Sequence, residues 1–190
     1  MTQANAPDGG FLYRTCAPGE QVPPNDRLLI VSADAGPRRY LPPGTDVPPE
    51  GRWVCICTAE MTARFGLADL TEYRVRTMPG QTFRLGFFGS LRLRFAHLIG
   101  LSSLMDRAPT ARPEHALIFL REDLRTAVSA ALRGRFGTEP PEYSDLSGPL
   151  LPELTAAVDR SLFAPLFRAG LCMTPGSLRI EKLSTPVTEL

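Results

Sequence analysis

Lysine is almost missing from this chain of 190 residues: Lys182 stands alone, and arginine carries nearly all of the positive charge. Histidine is scarce as well, with only His97 and His115. No apolar run approaches the roughly 18 residues that a membrane-spanning helix needs, so the chain is expected to be soluble or attached only at a membrane surface. The first residues, MTQANAPDGG, lack the basic start and apolar stretch of a secretory signal, which makes the cytoplasm the expected compartment. The four cysteines, Cys16, Cys55, Cys57 and Cys172, are then expected as reduced thiols. A formal net charge of +1 gives no global argument for nucleic acid or an anionic membrane, so any such case must rest on local patterning.

What is present is ordinary globular composition, 43% hydrophobic and 22% charged, in a length that supports one substantial core. Residues 1–26, rich in Pro, Gly and polar side chains, read as a flexible tail around a short strand at Phe11 to Thr15. Residues 27–190 read as one domain, with a β-rich part over 27–81 and an α/β part over 82–190. RLLIVSA (Arg27 to Ala33) and PRRYL form a hairpin across the turn-like Asp34 to Gly36. RWVCICTA has apolar side chains on both faces and is the best central-strand candidate. EMTARFGLADL reads as short helical or irregular structure. YRVRT and TFRLGFFGSLRLRF then form a hairpin whose Gly86 and Gly89 mark a bulge or bend.

After Phe95 the spacing becomes helical. AHLIGLSSLM is a short helix, and Pro113 opens a longer one whose Leu117, Leu120, Leu124, Val128, Ala131 and Leu132 share a face up to about Arg135, with Gly137 as the stop. A last helix carries Leu151, Leu154, Val158, Leu162 and Leu166 on one stripe and ends at Gly170 as a left-handed cap. Leu171 to Gly176 turn the chain back into a final strand, Ser177 to Leu183, with Leu178, Ile180 and Leu183 inward and Arg179 and Glu181 outward. The fold class is therefore α+β: a mostly antiparallel, bent sheet from the N-terminal half, packed with two or three helices from the C-terminal half, and rejoined by the last strand.

Chemistry-bearing sets are few. Neither histidine has a carboxylate, cysteine or serine at a recognised catalytic or metal spacing, so structural or solvated roles are expected for both. Cys55 and Cys57 stand about 7 Å apart on one strand face, and a soft metal there would need further ligands such as Cys172 or His97; buried cysteine acting as a small hydrophobe is the plainer reading. Arg74 and Arg76 alternate on one strand, and Arg84, Arg92 and Arg94 lie on its partner. Hairpin pairing would gather these into a cationic face suited to lipid phosphates, RNA or an acidic partner, against the plainer reading of a solvated face paired with surface carboxylates.

The succession GSLRLRF, AHLIGLSSLM, FLREDLRTAVSAALRGRFG and LTAAVDRSLFAPLFRAGLCMTPGSLRIEKLSTP resembles the SPFH domain of stomatins, prohibitins and flotillins, also called band 7, and within it a bacterial subgroup described as virion-core-protein-like. The family's helix ending in Gly-Leu before a strand of the form I-x-x-I-x-x-P is matched by Gly170-Leu171 and by Ile180 to Pro186, and RLLIVSADAGPRRYLPPG matches its opening hairpin and Pro-Gly turn. Its Asp-Pro after the glycine-led strand stands here as Ala96-His97. The resemblance spans about Arg27 to Val187. It implies a non-catalytic scaffold or adaptor, without a cofactor, acting through self-association or a protein partner, with peripheral contact at the inner face of a membrane; nucleic acid is disfavoured. Two alternatives stay open: a small metal- or thiol-dependent protein using Cys55, Cys57 and Cys172, and a binder of lipid or RNA phosphates through the arginine-rich face.

Overall fold

The computed structural model describes residues 10–34, 37–42, 44–74, 82–108, 110–119, 121–137 and 142–184. The elements in chain order begin with β1 (Tyr13–Thr15), β2 (Leu28–Ser32), β3 (Tyr40–Leu41), β4 (Trp53–Cys57), β5 (Met61–Arg74) and β6 (Thr82–Phe95). Then come α1 (Leu98–Met105), β7 (Thr110–Ala111), α2 (Pro113–Phe119), α3 (Arg121–Phe136), α4 (Tyr143–Ser147) and α5 (Leu151–Arg168), and last β8 (Leu171–Met173) and β9 (Arg179–Ser184). The class is α+β as expected, and the described strand pairs are antiparallel.

The strands form two hydrogen-bonded sets. One runs β3-β2-β4-β1-β7, and the other β5-β6 with both β8 and β9 on the far edge of β6. In the first, β4 is the central strand that its two apolar faces imply, paired with β2 on one side and β1 on the other and buried along its whole length. β1 falls within the short strand expected at Phe11 to Thr15, but it is built into the sheet rather than carried by a loose tail. Residues 10–26, expected in a tail, carry a strand inserted between β4 and β7, with Leu12 and Tyr13 fully buried and Val22 in the core beneath. The Tyr13 hydroxyl donates to the Ala108 carbonyl at 3.1 Å, and burial pushes its phenol up to about 12.

The second sheet also departs from expectation. EMTARFGLADL is not helical: it is the first part of the 14-residue β5, where Met61, Ala63, Phe65 and Leu67 meet the inner face and Thr62, Arg64 and Gly66 the outer. Opposite it, β6 alternates cleanly, with Leu85, Phe87, Leu91 and Leu93 buried and Arg84, Arg92 and Arg94 exposed. The glycines mark irregularities as expected. The β5 register slips between Leu67 and Thr71, opposite Gly86, and the β9 register slips between Phe88 and Gly89. At Gly89 the neighbouring chain comes too close for any side chain, since a Cβ would lie 2.0 Å from the Arg179 carbonyl oxygen.

Leu171 to Gly176, expected only as a turn, begins with β8. Together β8 and β9 make one interrupted return along β6. At the gap the Thr174 amide donates to the Arg92 carbonyl at 3.0 Å, and the Arg92 amide donates to the buried Ser177 Oγ at 3.0 Å, so a hydroxyl replaces the missing backbone acceptor. Asp159 of α5 fixes the same turn by accepting from the Gly176 amide at 3.0 Å and the Leu178 amide at 3.3 Å. The slip at Gly89 also lets Leu178 and Leu183, an odd number of residues apart, both be buried.

The helices cover the inner face of this sheet. The expected stripes are buried at Leu117, Leu124, Val128, Ala131 and Leu132 and at Leu154, Val158, Leu162 and Leu166; Leu120 lies outside the described residues. The helix expected from Pro113 to about Arg135 is seen as α2 and α3 on either side of residue 120, which lies outside the described residues; α2 packs against β5 and β7, and α3 against α5 and β5. Gly170, at φ 78°, ends the last helix as expected and also touches α1. A Cβ on Gly100 would lie 2.2 Å from the Gly170 nitrogen and 2.3 Å from the Arg168 oxygen, so α1 crosses the end of α5 with backbone against backbone.

Two glycine substitutions separate close approach from helix propensity. Gly100→Ala should cost ~2–4 kcal/mol, because backbone on both sides must move. Gly134→Ala in α3, where a Cβ meets nothing within 4 Å, should gain ~0.5–1 kcal/mol. Urea denaturation of the two variants checks both signs.

Candidate functional site

Two assemblies of chemically capable side chains stand out: a cationic patch on the outer face of the second sheet and a pair of thiols inside the first. The patch follows from the parity of β6. Its even-numbered residues face away from the helices, so Arg84, Arg92 and Arg94 share the outer face, as the alternation implies. They do not form one site. Eight residues of strand separate Arg84 from Arg92, about 27 Å at 3.4 Å per residue. Arg74 pairs along the backbone with Thr82 at the same remote end, and Arg76 lies outside the described residues.

The other end of β6 gathers arginines that the hairpin alone does not supply. Arg64 of β5 and Arg179 of β9 both register with Ser90 and flank it in one row across three strands. Arg92 is two residues further along β6 opposite Thr62, and Arg94 follows opposite Cys172. Strand spacings of about 4.8 Å and steps of about 7 Å therefore set four arginines on one face. Carboxylates temper it. Arg92 Nη1 is 2.9 Å from Glu60 Oε1, Glu60 also accepts from the Thr174 hydroxyl, and the Ser90 hydroxyl donates to Glu181 Oε1 at 3.2 Å. Arg64, Arg94 and Arg179 are exposed and have no carboxylate within ion-pair distance among the described residues. Phe88 lies one row away, half-buried, with its ring over Gly66, which leaves the sheet surface level there.

The Cys55, Cys57 and Cys172 set is not brought together. Cys55 and Cys57 lie on β4, whereas Cys172 is on β8 in the other sheet beside Arg94. Among the described residues no three His, Cys, Asp or Glu side chains are placed to share a metal ion. Cys55 has another neighbour, Cys16, just past the end of β1. The Cys16 amide donates to the Trp53 carbonyl at 2.9 Å and continues the ladder, so Cys16 sits diagonally across from Cys55 on the same face. Both lie in a satellite core with Val22, Ile30, Val47 and Trp53. Cys16 is held below the ordinary thiol value, chiefly by the hydrogen bond from Cys55. That same bond, with burial, pushes Cys55 far up. Arg14, on the same strand face, binds Glu20 through two nitrogens, one at 3.0 Å.

His97 is structural. Its Nδ1 accepts from the Gly100 amide at 3.2 Å and caps α1, and its Nε2–H donates to the Phe167 carbonyl at 2.7 Å, which fixes the proton on Nε2. His115 is exposed in the first turn of α2. A cavity of about 10 Å³ between sheet and helices, with Phe87 and Val158 on its wall, is apolar; another of about 20 Å³ borders Ser32, Arg52 and Asp106. Neither holds more than about one water.

No family model matches the chain, and no curated protein matches it.

The Arg14–Glu20 pair makes stability depend on pH. Its hydrogen bond to Arg14 lowers the Glu20 value below the ordinary 4.5, so the stability it contributes is complete above 4.5 and is lost as pH falls through the folded value. Glu20→Gln should cost ~1 kcal/mol at pH 7 and should flatten the loss of stability on acidification below pH 4.5. Denaturation curves from pH 3 to 7 for both proteins test the sign.

Proposed function

We propose that this chain is a non-catalytic association module of the cytoplasm, and that it docks an acidic protein surface on the outer face of β5, β6 and β9. The observation that carries this reading is the cluster of Arg64, Arg92, Arg94 and Arg179, on rigid strands, with only Arg92 tied to a carboxylate among the described residues. Guanidinium groups form paired, planar hydrogen bonds to carboxylates, so a level face of them favours a carboxylate-rich partner over an apolar one. The resemblance of the helix ending at Gly170-Leu171 and the strand after it to the SPFH domain supports association, including self-association. No helix among the described residues is long and apolar enough to cross a membrane, and contact with one would be peripheral, through this same face.

Exposed ion pairs contribute about 0.2–1 kcal/mol each, so removing the three arginines that have no carboxylate partner among the described residues should weaken an acidic ligand roughly tenfold. The triple variant Arg64→Ser, Arg94→Ser, Arg179→Ser should therefore bind a poly-glutamate peptide about tenfold more weakly at low salt than the parent, whose own binding should fade as salt rises. Equal affinity of the two proteins would overturn the assignment of the face. Binding to phosphatidylserine vesicles or an RNA oligonucleotide in preference to poly-glutamate would overturn the choice of partner.

A further inference from the structure

The thiols of Cys16 and Cys55 play no part in an association surface: they lie in the other sheet, within its satellite core. We infer that they are a redox-active dithiol that closes reversibly to a disulfide between β1 and β4. Three observations carry this. Register puts both on one face of one strand pair, as diagonal neighbours, and both side chains pack in the same satellite core with Val22, Ile30 and Trp53. The two residues differ in access, Cys16 being 6% exposed at the start of a turn and Cys55 fully buried. Arg14 stands on the same face, directly opposite Cys55 and two residues from Cys16, and its charge favours a thiolate there against the opposing charge of its partner Glu20.

The chemistry is a two-step exchange with a small-molecule disulfide as oxidant. The Cys16 thiolate attacks one sulfur of the oxidant, forms a mixed disulfide and expels one thiolate. Cys55 gives its proton to that thiolate and attacks the Cys16 sulfur, expelling the second. Two protein thiols lose two electrons and two protons, and the oxidant becomes two thiols. Diagonal residues of an antiparallel pair start about 7–8 Å apart, slightly beyond the 6.8 Å that a relaxed disulfide tolerates, so closure draws the end of β1 inward. Cys16 is the first residue past that strand and can move. A bond formed under such tension is easily reduced again, which makes the pair a reversible clamp on residues 10–26 rather than a permanent staple.

The decisive experiment uses the full chain with Cys57→Ser and Cys172→Ser, folded, treated with glutathione disulfide and analysed by mass after tryptic cleavage. The expected result is a loss of about 2 Da on the intact chain and linkage of the peptide Thr15–Arg27 to the peptide Trp53–Arg64, both reversed by excess glutathione. Adding Cys16→Ser should abolish the mass loss. In the unsubstituted protein, alkylation after the same treatment should find Cys16 and one thiol of the 53–64 peptide protected and Cys172 free, which keeps the test open if the double variant folds poorly. Stable glutathione adducts, or two thiols still free under conditions that oxidise the urea-unfolded chain, would overturn the inference.

Discussion

The strand β6 must be satisfied on both edges and both faces at once, and the second sheet with its helix layer is arranged around that demand. One edge takes β5, and the other takes β8 and β9 in succession. Its inner face supplies Leu85, Phe87, Leu91 and Leu93 to the main core, each worth about 1.5–3 kcal/mol when fully buried. A strand of 14 residues that twists against three others cannot keep perfect register with all of them. Slips opposite Gly86 and at Gly89 absorb the mismatch, and Ser177 and Asp159 bond the amides that the break between β8 and β9 would leave without partners. The backbone crossing of Gly100 on Gly170 then ties the end of β6 to α1 and α5, with the Ala96 amide donating to the Gly170 carbonyl at 2.9 Å.

The arginine face is the consequence of that same constraint on the side away from the helices. Inner positions must be apolar, so strict alternation assigns Arg92 and Arg94 to the outside, and the partners chosen by register bring in Arg64 and Arg179. Like charges held on neighbouring strands destabilise a sheet slightly, and Glu60 and Glu181 offset part of that. Among the described residues Arg64, Arg94 and Arg179 keep no carboxylate at ion-pair distance. The thiol pair has a different origin. It depends on β1 reaching the middle of the first sheet, where Cys16 meets a strand from forty residues away.

Legibility in the sequence follows how local each feature is. β4, the two long helical stripes, the Gly170 cap and the glycine irregularities in β6 depend on spacing within one segment, and each was readable. The first part of β5 was not, because Met61, Ala63, Arg64 and Leu67 are good helix formers and the small Gly66 and Ala68 blur the outer face. The two-residue β7 is a strand only through its distant partner, and the short strand expected at Phe11 to Thr15 gave no sign that β1 lies between β4 and β7. Of the five arginines proposed for the face, Arg92 and Arg94 lie in the cluster; Arg64 was hidden by the misreading of β5, and Arg179, correctly placed outward, could be joined to it only once the β9 register was known. The Cys16–Cys55 contact likewise rests on register and leaves no mark in spacing.

The account stands on β6 as the spine that carries the core on one side and the arginine face on the other. Amide hydrogen exchange of the free chain, resolved by residue, tests this most directly. The amides of Leu85 to Leu93 should be among the slowest to exchange, and those of Leu171 to Leu183 that pair with β6 should open together with them as one unit. Exchange of Leu85 to Leu93 as fast as that of the two-residue strands β3 and β7 would contradict the account.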